Sequence, residues 1–158
     1  MRQAQQLGKH VLFNPAPAVP LPASAYGNID TLILNETESE LLIGAQEQDL
    51  ILTAQERAPF FLKLGVREAV IITLGSEGLI YATASGASGR VAARKVRAVD
   101  TTAAGDTFVG AYAVQRVQHG EGVFDYANAL EFATLAASRS VEKPGAMDSI
   151  PFLREVVL

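Results

Sequence analysis

The sequence predicts an α/β protein in which helices flank a layered sheet. Two observations carry this. Short apolar runs alternate along the chain with longer stretches whose apolar residues recur at helical intervals. One of the short runs, Ala69-Val70-Ile71-Ile72-Thr73-Leu74, is apolar on both faces, the pattern of a strand covered by helices on both sides.

The elements follow in order. Residues 1–9 read as the tail of a helix that leads into a strand at Val11-Leu12-Phe13, and Asn14-Pro15-Ala16-Pro17 makes a turn after it. Thr31-Leu32-Ile33-Leu34 is a second strand, followed by a helix over Glu36 to Ile43 that Gly44 is placed to stop. Ala54 to Leu64 has helical spacing but contains Pro59, so a kink is expected there, or a second short helix with Pro59 in its first turn. After the run at Ala69, Gly78-Leu79-Ile80-Tyr81-Ala82 is expected to return antiparallel, because so few residues separate the two. A Gly- and Ser-rich turn at Ser85 to Gly89 precedes an extended run from Arg90 to Val99. Helices over Asp106 to Gln118 and Phe124 to Val141 have the clearest periodicity. There is no repeat, low-complexity tract or linker, so residues 1–158 are expected to form a single domain.

Composition removes several functions. The chain is 49% apolar and 19% charged, as soluble globular proteins are. It has no cysteine, which excludes disulfides, thiolate metal sites and cysteine nucleophiles. His10 and His119 lie far apart in sequence, so a histidine-based metal site is not expected. A net charge of -4 argues against a nucleic-acid footprint, and Arg94-Lys95-Val96-Arg97 reads as a solvated face. The apolar runs fall well short of the ~20 residues of a membrane span, and the polar start has no signal-peptide core. A cytoplasmic protein is the expectation.

The chemistry is concentrated in a few short strings. In Asp100-Thr101-Thr102-Ala103-Ala104-Gly105-Asp106-Thr107-Phe108, small residues stand between an extended segment and a long helix. Backbone amides can converge there at a helix N-terminus and favour an anion. An aspartate at the same point can take the proton of a hydroxyl attacking a phosphoryl group. It would also suit a first helical turn with no further role. Asn35-Glu36-Thr37-Glu38 lies where a strand ends and a helix begins, and as a helix start with first-turn acids it needs no ligand. Thr73-Leu74-Gly75-Ser76-Glu77-Gly78 joins two strands and by itself reads as a hairpin turn. Ser140-Val141-Glu142-Lys143-Pro144-Gly145-Ala146 reads as a helix-ending turn.

In this order, together with Asn14-Pro15-Ala16-Pro17-Ala18, these strings resemble the ribokinase-like carbohydrate kinases of the phosphofructokinase B group. The resemblance implies that Asp106 is the catalytic base and that Ala103, Ala104 and Gly105 form an anion hole for the transferring phosphate. It implies nucleotide contacts from Asn35, from the loop residues Thr73, Leu74, Gly75, Ser76, Glu77 and Gly78, and from Gly105 and Asp106. Thr134 stands where such enzymes often place an adenine contact, usually Asn or His. Glu38 would hold hydrated Mg²⁺ near the phosphates, a cation that prefers oxygen ligands. Asp100, Thr102, Ser140, Lys143, Gly145 and Ser149 would surround a monovalent cation, mostly through backbone carbonyls. The implied cofactors are ATP and Mg²⁺, with K⁺ as the monovalent ion. The implied partners are ATP or ADP and a sugar, D-ribose first and a nucleoside as the variant within the class.

The resemblance covers this chain but only the C-terminal half of the family pattern. The expected fold is therefore a truncated three-layer ribokinase-like sheet flanked by helices, without the N-terminal half, its Gly-Gly sugar motif or its lid. Orientation of reactants is worth roughly 7–11 kcal/mol of barrier, so weak or absent turnover is expected of the chain alone. The alternative is a non-catalytic nucleotide-binding module. The strand at Val11 to Phe13 is expected to leave an apolar sheet edge that invites a dimer or larger assembly.

Overall fold

A computed structural model describes residues 1–119 and 123–156. These fall into two compact units, Met1–Gly75 with Leu79–Arg90, and Ser76–Gly78 with Val91–Leu158.

The first unit is built on the sheet. Helix α1 (Arg2–Gln6) leads into strand β1 (Leu12–Phe13), a short helix α2 (Ala23–Tyr26) precedes β2 (Thr31–Asn35), and helices α3 (Glu36–Gln46) and α4 (Ala54–Lys63) precede β3 (Ala69–Thr73). Strands β4 (Leu79–Thr83) and β5 (Ser88–Val91) complete the sheet order β1-β2-β3-β4-β5. The first three strands are parallel, with Leu12 opposite Thr31 and Thr31 opposite Ala69, and β4 returns antiparallel to β3 as predicted. Parallel neighbours require crossover connections, which α2 and the α3–α4 pair lie within. Alternate strand residues Leu32, Leu34, Val70, Ile72 and Ile80 pack into one core with Tyr26, Leu42 and Phe61. Ile33 and Ile71, between them on the opposite face, are buried too, so the central strands are apolar on both sides.

Three local expectations change. Helix α3 runs on through Gly44 to Gln46; Gly44 keeps a helical backbone in open space, so nothing forces the stop. At Pro59 the alternative of a second short helix falls, because α4 is one element with Pro59 inside it and Ala58 and Phe61 buried close by. The extended run after the Ser85–Gly89 turn pairs as a strand only through Val91.

The second unit is helical. Helix α5 (Ala104–Gln118) packs against α6 (Tyr126–Ser140), and a short α7 (Leu153–Val156) follows. Phe108, Tyr112, Phe124, Leu130 and Ala133 are buried there, with the Tyr112 and Phe124 rings edge to face at 5.9 Å. No helix among the described residues is long and apolar enough to cross a membrane.

Candidate active site

On the first unit the motif residues gather where the parallel strands end. Asn35 closes β2 and faces Thr73, the last residue of β3, across the ladder. The Thr73 hydroxyl donates to the Leu34 carbonyl at 3.4 Å. Ligands of open α/β sheets are characteristically held beyond the carboxyl ends of the strands, and these two residues stand there. Asn35 is also the N-cap of α3. Its Oδ1 accepts from the Glu38 amide, while Glu38 Oε2 accepts from the Asn35 amide, each at 2.8 Å. This reciprocal box satisfies two donors that a helix start otherwise leaves unpaired. Glu36 turns elsewhere: Arg57 of α4 reaches Glu40 at 2.8 Å and Glu36 at 3.6 Å. Of the acids in the motif, Glu38 is thus fixed at the strand end, with Oε2 engaged and its carboxylate pinned. Leu74 packs against the core, and Gly75 begins a single 3₁₀ turn to Glu77 with φ +55°.

On the second unit two glycines contrast. Gly78 has φ +95°, and a Cβ there would lie 2.0 Å from the Val91 carbonyl oxygen and 2.7 Å from the Ala93 amide nitrogen. Its lack of a side chain is demanded by the chain itself. Gly105 has an ordinary backbone, and a Cβ there would meet nothing within 4 Å.

Asp100 organises the approach to α5. One carboxylate oxygen accepts from the Thr102 amide at 2.9 Å and from its hydroxyl at 2.5 Å, and the other accepts from the Gly145 amide at 2.9 Å. The Thr102 hydroxyl and amide, then the Gly145 amide, hold the Asp100 carboxyl below the usual carboxylate range. The Val99 and Asp100 amides both donate to the Val141 carbonyl at the end of α6, so the loop and the C-terminal turn are joined twice. Three of the six residues expected around a monovalent cation are therefore bonded to one another. The side chains of the others turn away. The hydroxyls of buried Ser140 and Ser149 donate to the carbonyls of Ala137 and Ala146, and the Lys143 ammonium pairs with Glu155 at 2.7 Å. Their side chains are thus engaged within the turn, and it is their carbonyls that the resemblance assigns to the cation.

The start of α5 is uncapped. Ala103, its N-cap residue, offers no side-chain oxygen. The Ala104 amide turns back to the Thr101 carbonyl at 3.2 Å, and the Thr107 amide closes the first α-helical bond, to the Ala103 carbonyl at 2.9 Å. The Gly105 and Asp106 amides lie between these, at the open positive end of a 15-residue helix. Asp106 is exposed in that first turn. An uncapped helix start, a glycine with empty space beside it and an exposed carboxylate fit a phosphate whose neighbour is deprotonated on attack. Of the three residues expected in the hole, Ala104 shares its amide with Thr101, whereas the Gly105 amide stands at the open helix end. Thr134, on α6, is buried, and its hydroxyl has no partner among the described residues. A contact with adenine from there requires the side chain to shift or a water to bridge.

Comparison with known proteins defines the class. The model of the pfkB family of carbohydrate kinases matches residues 1–153, and the chain belongs to that family. Ribokinases are prominent among its relatives. The Schizosaccharomyces pombe ribokinase is 44% identical over 154 residues, which are 97% of this chain and 47% of that protein. The Thermotoga maritima ribokinase structure superposes with a TM-score of 0.85 at 37% identity, covering 98% of this chain and 50% of the other. The Arabidopsis thaliana ribokinase, solved with ribose and ATP, gives 0.84 at 30% identity, with 99% and 49% covered. The fold is the ribokinase fold, and the chain spans about half the length of the curated relatives it matches.

Proposed function

We propose that this chain carries the phosphoryl-transfer machinery of an ATP-dependent sugar kinase, D-ribose being the preferred acceptor. The observation that carries the reading is the start of α5, where an uncapped helix end, an unfilled glycine and an exposed Asp106 coincide. In this reading Asp106 accepts the proton of the sugar hydroxyl as its oxygen attacks. The Gly105 and Asp106 amides, with Ala103 and Ala104 shaping the loop, donate to the phosphoryl oxygens as charge develops on them. Bound ATP supplies the transferable phosphoryl group and the leaving ADP. Asn35 and the Thr73–Gly78 loop bind nucleotide, with Thr134 near the base. Glu38 would hold hydrated Mg²⁺ beside the phosphates, where the ion would offset their charge. Asp100 and Thr102 hold the loop, and with the carbonyls of Ser140, Lys143, Gly145 and Ser149 they would surround K⁺. We place the protein in the cytoplasm, acting as one nucleotide-binding and catalytic domain.

The ribose preference follows the relatives, since the ribokinases of Schizosaccharomyces pombe and Thermotoga maritima are among them. A second reading has its own support: the chain spans about half of those relatives, so it can bind nucleotide without turning over sugar. Calorimetry with Mg²⁺·ATP and a coupled ADP-release assay with D-ribose separate the two. The kinase reading expects binding and turnover, with Asp106→Asn lowering turnover by roughly 10²–10⁴-fold while ATP still binds. Binding without turnover selects the module. Absence of both sinks both readings. Strand β1 lies at one end of the sheet order, and we propose that its edge pairs with a second chain. A single monomeric species by light scattering at micromolar concentration would contradict that pairing.

A further inference from the structure

We propose that His10, Asp30 and Glu68 form a binding site for a divalent first-row transition-metal ion such as Zn²⁺, at the end of the sheet opposite Asn35 and Thr73. The proposal does not rest on the kinase reading. The three residues are far apart in sequence, but each stands just before one of three adjacent parallel strands. Leu12, Thr31 and Ala69 form one row of the ladder; Asp30 and Glu68 precede it by one residue and His10 by two. One potential ligand atom from each lies within 4.8 Å of the other two.

The backbone that presents them is held by the extended ladder. The Asp30 and Thr31 amides donate to the Val11 carbonyl, and the Glu68 and Ala69 amides to the Asp30 carbonyl. Asp30 is 3% exposed, and its Oδ2 accepts from the Val11 amide at 2.7 Å. A buried carboxylate at the base of the trio is thereby fixed in place. The imidazole is oriented as well: His10 Nε2 meets the Thr31 hydroxyl at 3.1 Å, which directs Nδ1 toward Glu68 Oε1. That is how metal-bound imidazoles are usually held, by a hydrogen bond on the far nitrogen.

The decisive distance is between Nδ1 and Oε1. At 3.6 Å it is too long for a hydrogen bond, yet close to the spacing of two ligands on one ion. Two ligands at ~2.0–2.1 Å in a tetrahedral shell stand roughly 3.3 Å apart. Closing the wider 4.8 Å limit needs only a small movement of the partly exposed His10 and Glu68 side chains. Arg67 approaches Asp30 Oδ1 at 3.2 Å, so a cation held by the trio would share that carboxylate with a guanidinium. An imidazole among the ligands favours zinc-like ions over Mg²⁺ or Ca²⁺, which seek oxygen alone. Bound there, the ion would tie the starts of β1, β2 and β3 together.

The test uses the untagged, metal-free chain. Calorimetry should show one Zn²⁺ per chain, and Co²⁺ should give visible absorption bands of a low-coordinate complex. His10→Gln and Glu68→Gln should each weaken Zn²⁺ binding by roughly tenfold or more with unchanged far-ultraviolet circular dichroism, whereas His119→Gln should not. Should either variant fail to fold, Zn²⁺ should still slow diethylpyrocarbonate modification of His10 relative to His119 in the unsubstituted chain. No Zn²⁺ heat, affinity unmoved by both substitutions, or equal protection of the two histidines overturns the proposal.

Discussion

Two helices of this protein begin beside motif residues, and they begin differently. At the start of α3 the chain satisfies itself: Asn35 and Glu38 exchange hydrogen bonds at 2.8 Å, and the amides that could face an anion are partly closed by side chains. At the start of α5 the chain withholds such a cap, placing Ala103 where Ser, Thr, Asp or Asn would be the stabilising choice. The glycines divide in the same way. Gly78 is explained by the carbonyl of Val91 beside it, but no neighbour explains Gly105. A polar or glycine residue that its own chain accounts for is evidence about folding. One without such a neighbour leaves room for something outside the chain, and at the start of α5 that room coincides with a missing cap and an exposed carboxylate.

The largest effect should come from the glycine the fold demands. Gly78→Ala places a methyl against the Val91 carbonyl at a left-handed φ, and should destabilise by about 2–4 kcal/mol in denaturant unfolding. An unchanged midpoint would place Gly78 with Gly105 and erase the contrast between them.

The α3 cap sharpens the comparison at the next scale. Asn35→Ala should cost about 1 kcal/mol of stability through the lost cap. Glu38→Gln should cost much less, because glutamine serves the same box, while removing the charge proposed for Mg²⁺. Stability and the Mg²⁺ dependence of ATP binding should therefore separate between the two variants. If Glu38→Gln leaves the Mg²⁺ dependence intact, the motif is a helix start and no more.

Gly105→Ala should have a smaller effect and the opposite sign on stability. Alanine is favoured over glycine in a helix by roughly 0.5–1 kcal/mol, and its methyl meets no atom here, so unfolding should shift to higher denaturant. The same methyl should stand where the phosphate is proposed to approach and weaken ATP in calorimetry. A more stable protein with undiminished ATP affinity would take the anion hole away from α5.

The sheet was readable because its strands are short, doubly apolar and bounded by turn residues, and α5 and α6 because their periodicity is long. What misled were local signals overridden by packing. Gly44 can stop a helix only where the chain adopts a left-handed conformation, which it does not here. Pro59 can open a new helix, but Ala58 and Phe61 are buried at that turn and α4 runs through it as one element. The strings around Asp106, Asn35 and Thr73 were legible as a short-spaced pattern of the family whose model matches residues 1–153. The meeting of His10 with Asp30 and Glu68 was not, because it depends on the parallel register of three strands, which spacing along the chain does not disclose.

The smallest effect concerns what holds the open loop in place. Asp100 has its carboxyl lowered by Thr102 and Gly145, so its ionised form is favoured in the folded chain. Such a group adds stability above its unfolded value, about 3.9, and that contribution is lost as pH falls through the lower folded value. The difference in unfolding midpoint between the native chain and Asp100→Asn should be constant from neutral pH down to about 5 and shrink below about 4. Asparagine can still accept one of the bonds, so the variant should fold, and the loss should be modest because the group is exposed. The loop before α5 would then be held by charge, while the start of α3 is held by a cap between its own residues. A midpoint difference that is flat through the acid range would remove that distinction and leave Asp100 an ordinary turn residue.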